Sequence, residues 1–144
     1  MIKIRKVNQV NDLDIVYTIR RKVFIEEQGC PPELEWENEE ESVHFLAEVN
    51  GIPAGTARWR ETQNGFKLQR FAVLKEFRGM GVGKALVKAV LEDLPPQAAY
   101  VYLHGQVQAC SLYEQFGFER EGDEFDEAGI RHYKMVLHLN EKSA

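Results

Sequence analysis

The sequence predicts an α/β fold: a mixed, mostly antiparallel sheet of about seven strands flanked by about four helices. Several segments alternate apolar and polar residues, as strands with one buried face do, and Val43 to Val49 is the clearest of them. Asn50-Gly51, directly after it, is a strong hairpin signal. Further along, the apolar run from Phe71 to Leu74 leads through three alternate glycines into a helical pattern.

Length and composition predict one globular domain covering residues 1–144. At 144 residues and 44% hydrophobic content, the chain can bury a core without a metal or a disulfide. No apolar run approaches the length of a membrane span, and the opening from Met1 to Val7 alternates charged with apolar residues, unlike a signal peptide. We therefore expect a cytoplasmic protein that has no membrane partner.

The N-terminal third predicts a strand, a helix and a long loop. The strand covers Ile2 to Val7. The helix starts at a cap on Asn8 or Asn11 and continues at helical spacing until Gly29. The loop from Gly29 to Ser42 has no periodicity, and loops of about fourteen residues in compact domains are often functional or mobile. It could cover a substrate.

The middle of the chain predicts two hairpins. Beyond Asn50-Gly51, a third strand runs from about Pro53 to Arg60. A turn at Gln63-Asn64-Gly65 then leads into the central strand, which begins near Lys67.

The C-terminal half predicts two helices and three strands. The helix that begins at the glycines ends near Leu94, and Pro95-Pro96 breaks the chain after it. A fifth strand covers Ala98 to His104 and ends at Gly105, and a helix runs from about Val107 to Phe116. Two closing strands, Phe118 to Phe125 and Ile130 to Leu139, are linked by Asp126-Glu127-Ala128-Gly129.

Charge and cysteine content exclude several classes of function. The net charge is −5, and no basic stripe suitable for nucleic acid is present. Cys30 and Cys110 have no Cys or His at metal-ligand spacing, so we expect no metal site and free thiols. Residues 23–57 hold nine Glu and no Lys or Arg, which is either a solvated loop or an acidic rim that attracts a cationic substrate.

The glycine turn from Arg78 to Lys84 is a candidate phosphate site. The first peptide N–H groups of a helix have no partner inside it and carry partial positive charge, while Arg78 and Lys84 add two cations. The spacing does not fit two familiar phosphate loops. A P-loop needs glycine at position 78 and a hydroxyl at position 85, and a dinucleotide loop needs a third glycine at position 84 or 86. ATP and NAD are therefore disfavoured as ligands.

Arg78-Gly79-x-Gly81-x-Gly83 resembles the acyl-CoA loop of the Gcn5-related N-acetyltransferase (GNAT) superfamily, whose pattern is Arg/Gln-x-x-Gly-x-Gly/Ala. The resemblance implies acetyl-CoA (coenzyme A) as cosubstrate, held in a gap where the central strand and the parallel fifth strand splay apart. It places the cofactor on the loop amides and on the backbone of the preceding strand. The implied cofactor-binding residues are Phe71, Ala72, Val73, Arg78, Gly79, Met80, Gly81, Val82, Gly83 and Lys84.

Two further stretches extend the resemblance over nearly the whole chain. Arg20-Arg21-x-Val23-Phe24-Ile25-Glu26-Glu27-Gln28 and Gly55-Thr56-Ala57-Arg58 resemble small bacterial acetyltransferases similar to ElaA and YjcF. The pattern Asn-x-x-Ala-x-x-x-Tyr-x-x-x-Gly-Phe is matched at Ala109, Tyr113, Gly117 and Phe118. Gln106 stands where Asn is commoner, so it keeps the amide of this cofactor contact on a longer side chain.

The resemblance implies that Tyr113 is the general acid. A Tyr hydroxyl, with a reference pKa of about 10, can donate a proton or a hydrogen bond to the departing thiolate. A backbone N–H of the central strand, nearest Val73, would polarise the thioester carbonyl.

The general base stays open at this stage, because the central strand has no carboxylate. An alkyl ammonium with a pKa near 10.4 must lose its proton before it attacks the thioester. The candidates are His104, Glu26 or Glu27, and a chain of waters, while His44 is expected to be structural.

The predicted function is acetyl transfer from acetyl-CoA to a primary amine of a small molecule or peptide, by direct attack in a ternary complex. The alternative is a catalytically weak module that binds and senses acyl-CoA. The acceptor, the acyl-chain preference and the formation of a homodimer are left open by the sequence.

Overall fold

The protein folds into a mixed sheet of seven strands, as the computed structural model describes it for residues 1–7, 10–30 and 42–139. The strand order is β1-β2-β3-β4-β5-β7-β6, and every neighbouring pair is antiparallel except β4 and β5. This confirms the predicted sheet and its parallel pair. The strands are β1 (Ile2–Val7), β2 (Val43–Val49), β3 (Ile52–Thr62), β4 (Gly65–Val73), β5 (Tyr100–Gln106), β6 (Glu119–Glu127) and β7 (Ile130–His138).

Helices lie on both faces of the sheet. They are α1 (Val10–Arg20), α2 (Val82–Asp93) and α3 (Cys110–Glu114), with 3₁₀ turns at Lys75–Phe77 and Val107–Ala109. On β2, the consecutive Phe45 and Leu46 are both buried but belong to different apolar clusters, because successive side chains of a strand point to opposite faces. Phe45 shares its cluster with α2, whereas Leu46 shares its cluster with α1.

The sequence predicted one continuous helix up to Gly29, but the α-helix α1 ends at Arg20. After α1 the chain forms a π-helical segment, Arg21–Glu27, in which the turns are wider. The wider turn allows the consecutive Val23 and Phe24 both to be buried in the cluster under α1. Insertions of this kind are frequent at functional sites.

The two central strands separate after a short contact. β4 and β5 pair only from Phe66 to Leu68 and from Val101 to Leu103, although β4 continues to Val73. A β-bulge follows the separation: Gln69 lies opposite Arg58 and Ala72 opposite Thr56, and Arg70 has a φ of 59°. A bulge bends its strand, so β4 turns away from β5 and opens a gap between them.

The β6–β7 hairpin is tighter than the predicted four-residue link. Only Ala128 and Gly129 form the turn, with φ of 54° and 80°, and positive φ at both central residues suits the strand twist of a two-residue hairpin. Glu127 therefore belongs to β6, where it pairs with Ile130. Ala128 packs against the apolar cluster under α1, so the hairpin tip reaches across the gap.

β5 also runs two residues further than predicted, through Gly105 to Gln106. A Cβ at Gly105 would lie 3.3 Å from Tyr113 Cδ2 and 3.3 Å from Met135 Sδ, so glycine here makes room for side chains and does not end the strand. Within the described ranges, no helix has the length and apolar character needed to cross a bilayer.

Candidate active site

The glycine loop leads into α2 as the sequence predicted. Gly79 and Gly81 have φ of 81° and 92°, a conformation that L side chains rarely adopt, and Gly81 is the N-cap of α2. Arg78, Met80 and Lys84 are exposed, whereas Val82 is buried in the core. The exposed loop therefore presents backbone amides at the positive end of a twelve-residue helix.

Arg78 connects this loop to two other elements. Its Nε donates to the Val73 carbonyl of β4 at 2.9 Å, and its two terminal nitrogens donate to the two Glu27 oxygens at 2.7 Å each. The hydrogen-bonded Arg78 guanidinium holds the pKa of Glu27 below its usual value, and the same bonds raise the pKa of Arg78. This bidentate pair fixes the π-helical segment beside the loop.

A cavity of about 330 Å³ occupies the gap between β4 and β5. Its volume is in the range of small-molecule sites. Five elements meet there: the π-helical segment, β4, β5, α3 and the β6–β7 hairpin. The residues that line the cavity include Gln28, Lys67, Phe71, His104, Gln106, Tyr113, Glu127 and His132.

Tyr113 lines the cavity from α3 and is only 6% exposed. Its ring makes edge-to-face contacts with Phe71, at 5.7 Å between ring centroids, and with Phe118, at 6.2 Å. Burial raises the pKa of Tyr113 well above its usual value of 10, and the neighbouring Cys110 adds to the shift. The hydroxyl therefore remains protonated throughout the physiological pH range.

Gln106, at the end of β5, links β5 to the π-helical segment. Its Nε2 donates to Gln28 Oε1 at 3.0 Å, and its Oε1 accepts from Gln108 Nε2 at 2.7 Å. Gln106, which was predicted to contact the cofactor, therefore lines the cavity and is hydrogen-bonded to the side-chain amides of Gln28 and Gln108.

His104 faces the cavity from β5 and is hydrogen-bonded to Glu127 on the hairpin. The distance from His104 Nδ1 to Glu127 Oε1 is 2.9 Å. The His104 hydrogen bond holds the pKa of Glu127 below its usual value of 4.5, although burial opposes the shift. In the tautomer whose Nδ1–H donates the hydrogen bond to Glu127, the other ring nitrogen, Nε2, has a free lone pair. A general base requires such an acceptor.

The other candidate bases lie elsewhere. Glu26 does not line the cavity; its side chain is 61% exposed and lies 3.9 Å from Arg21 Nε. Glu27 is engaged by Arg78 at the loop. His44 is buried in β2 and also lies outside the cavity. Of the predicted catalytic residues, the structure brings Tyr113 and His104 together and leaves Glu26 apart.

Several polar residues of the cavity, among them Lys67, Glu127 and His132, were not predicted as site residues from the sequence. Glu127 was assigned to a loop because Asp126 to Gly129 is rich in turn-forming residues. The Ala128-Gly129 pair is compatible with a two-residue turn, and this could have placed Glu127 on a strand. No sequence signal marks Lys67 or His132.

Both cysteines are free, as expected from the sequence. Cys30 and Cys110 are buried, and burial raises the pKa of the Cys110 thiol. Among the residues with described coordinates, no three His, Cys, Asp or Glu side chains group as metal ligands. The Glu-rich stretch from Glu33 to Glu41, interpreted from the sequence as a solvated loop or an acidic rim, falls outside the described residues.

Comparisons with known proteins agree with the fold and identify the family. Residues 9–139 match the family model described as an acetyltransferase (GNAT) domain. YjcF of Bacillus subtilis (strain 168), named as an uncharacterized N-acetyltransferase, is 35% identical over 123 residues, covering 83% of this chain and 88% of YjcF.

Two solved structures are similar over almost the full chain. Escherichia coli ElaA has a TM-score of 0.81 and 25% identity, covering 94% of this chain and 99% of ElaA. A Bacillus subtilis acetyltransferase solved in complex with CoA has a TM-score of 0.74 and 18% identity, covering 96% and 99% of the two chains. Family model, relatives and fold agree, and the chain belongs to the GNAT family of acetyltransferases.

Proposed function

We propose that the protein transfers the acetyl group of acetyl-CoA to a primary amine of a small molecule or peptide, by direct attack in a ternary complex. The observation that carries this proposal is the cavity between β4 and β5, which is lined by Tyr113 and by the His104–Glu127 pair. Phe71 of β4 lines this cavity, and β4 continues through Val73 towards the glycine loop of α2. Family membership supports acyl transfer in general.

The donor binds along β4 and the loop. The pyrophosphate accepts hydrogen bonds from the amides of residues 79–84, supported by Arg78 and Lys84. The pantetheine arm pairs with the backbone of Phe71, Ala72 and Val73, whose edge is not occupied by β5. The CoA complex of the Bacillus subtilis neighbour supports CoA as a ligand of this fold.

In this scheme Arg78 must change partners when the donor binds. In the structure the Arg78 Nε donates a hydrogen bond to the Val73 carbonyl oxygen. A pantetheine amide N–H needs the same oxygen as its acceptor. Because Arg78 is exposed and extends from a loop, it can move towards the phosphates at small cost.

The chemistry requires one base and two hydrogen-bond donors, one for the carbonyl oxygen and one for the leaving sulfur. His104 Nε2 takes a proton from the acceptor ammonium, and Glu127 stabilises the imidazolium that forms. The neutral amine attacks the thioester carbonyl carbon; the N–C bond forms and the C–S bond breaks. A backbone N–H of β4, nearest Val73, donates to the carbonyl oxygen as it gains charge.

Tyr113 donates a hydrogen bond to the sulfur as the thiolate leaves. Burial makes its hydroxyl a weaker acid than a thiol with a pKa of about 8.5, so complete transfer of its proton is unfavourable. The stabilisation therefore comes from the hydrogen bond in the transition state. The attacking nitrogen, which becomes positively charged when the N–C bond forms, loses its extra proton as the amide forms, and the thiolate takes a proton from there or from solvent to become the thiol.

A second candidate, a module that senses acyl-CoA without turnover, is motivated by β4, which has no carboxylate in its sequence. The test incubates the protein with acetyl-CoA and a panel of amines, polyamines, aminosugars and peptides, and measures thiol release and the mass of the products. Acetylated amine supports the transferase. If CoA raises the melting temperature of the protein but no amine is acetylated, the result favours the sensing module.

A further inference from the structure

The acceptor end of the cavity contains a cation that the proposed reaction does not use. Lys67 lies on β4, two residues before the bulge, and lines the cavity with His104 and Glu127. Its register partner on β5 is Tyr102, so Lys67 and His104 are diagonal neighbours on adjacent parallel strands. His104 lies one residue beyond the last paired position of β5, where the gap between the two strands begins.

Lys67 has no carboxylate within ion-pair distance among the described residues. Its Nζ lies 6.0 Å from the centre of the Tyr102 ring, which is a cation–π contact at the limit of useful distance. Glu127, the acidic side chain of the cavity wall, is hydrogen-bonded to His104. A half-buried ammonium has lost part of its hydration, so a negative partner there is favourable.

Lys67 is destabilised as a cation by its surroundings. Burial lowers the pKa of Lys67; Glu127 opposes this, while Arg60, Arg70 and Arg58 lower it further. A negatively charged group bound at the Lys67 ammonium would offset both the loss of hydration and the repulsion from these guanidinium groups.

We propose that Lys67 binds a carboxylate of the acceptor, so that the acceptor is a small amino acid whose amine faces His104 while its carboxylate faces Lys67. This rests on the proposed function, and it narrows the substrate class from any primary amine to an amine that carries a carboxylate. The two side chains start from neighbouring strands and face the same cavity, whose volume is compatible with such a molecule.

The experiment compares each ω-amino acid, from glycine to 6-aminohexanoate, with the straight-chain amine in which a methyl group replaces the carboxylate. Thiol release from acetyl-CoA is measured for both members of each pair. We expect a KM about tenfold lower for the carboxylate-bearing member of the best pair, as is typical of a charged hydrogen bond. In Lys67→Gln this preference disappears, and in Lys67→Arg part of it remains.

Lys88→Gln is the matched control, because Lys88 is an exposed lysine of α2 outside the cavity. It should keep the preference of the unchanged protein. A purely structural role for Lys67, through its contact with Tyr102, would instead lower the melting temperature of Lys67→Gln and leave the ratio of the two KM values unchanged.

The outcomes separate this inference from the proposed function. Equal turnover of both members of every pair overturns the role of Lys67 and leaves acetyl transfer intact. If no amine is acetylated, the proposed function fails. Calorimetric titration of the CoA-loaded protein with the same pairs then decides the inference: binding that needs both the carboxylate and Lys67 supports it, and its absence refutes it.

Discussion

The two ends of the proposed active site are built in different ways. The proposed donor end is one continuous stretch, from Phe71 to Lys84, in which the end of β4, a 3₁₀ turn, the glycine loop and the start of α2 follow each other along the chain. The acceptor end combines side chains from separate elements that lie up to 65 positions apart in sequence, Lys67 and His132 being the outermost. Local geometry determines the first, whereas strand order and hairpin register determine the second.

This difference also separates two kinds of function. In the proposed function, the backbone amides of the donor end bind phosphate, a group that many ligands share. Side chains at the acceptor end would determine which amine reacts. Substitutions at the two ends should therefore affect different kinetic constants.

The largest effect is expected for Tyr113→Phe. It removes the hydrogen bond to the leaving sulfur and should lower kcat about 100-fold, with KM for acetyl-CoA almost unchanged. Steady-state thiol release measures both constants. Tyr133→Phe, on β7 and outside the cavity, is the control and should keep kcat within a factor of about two. Equal losses in both variants would contradict the assigned role.

Glu127→Gln should have the next largest effect. The amide can still hydrogen-bond to His104, but it cannot stabilise an imidazolium, so we expect kcat to fall about tenfold. The pH–rate profile distinguishes a role of Glu127 in stabilising the His104 imidazolium from a role in folding only. The shape of the profile should change in Glu127→Gln and recover in Glu127→Asp. An unchanged profile with a lower rate at every pH would indicate a structural role only.

Gly81→Ala tests the donor end. A Cβ at a φ of 92° is strained, and the strain should displace the loop amides and raise KM for acetyl-CoA about fivefold while kcat stays within twofold. Gly51→Ala is matched to it, because Gly51 has a φ of 84° in the β2–β3 turn, far from the cavity. Both variants should lose similar stability, and only Gly81→Ala should change KM.

The smallest effect concerns stability in acid. The pKa of Glu127 in the folded protein lies below its usual value of 4.5, so the unfolded chain binds more protons as the pH falls below that value. The stabilisation from Glu127 is therefore complete above this pH and is lost as the pH falls through the folded pKa.

Urea midpoints between about pH 6 and pH 3 measure this loss. The midpoint should fall less steeply in Glu127→Gln, which has no carboxyl to titrate at this position. Glu127 is about half exposed, so solvent screening keeps the difference small. Parallel curves for the two proteins would show that the His104 contact adds no pH-dependent stability.

Most of the fold was predictable because its signals are periodic and local. The alternation in β2, the Asn50-Gly51 turn and the step from β4 through Gly81 into α2 were all found in the sequence. The change to a π-helix at Arg21 was not, since it depends on burying both Val23 and Phe24 against the sheet. The position of Glu127 was missed because a two-residue turn was interpreted as a four-residue link.

The sequence by itself determined the donor side of this protein: the glycine loop, the cations beside it and the tyrosine after β5. The geometry proposed to bind phosphate arises within a few consecutive residues. Positive φ in this loop requires glycine, so the glycine positions can be recognised in the sequence. Only the tertiary structure paired His104 with Glu127 and placed Lys67 beside them. Those contacts exist because β4 and β5 separate after three residue pairs and the β6–β7 hairpin crosses the gap, and both depend on packing between distant segments.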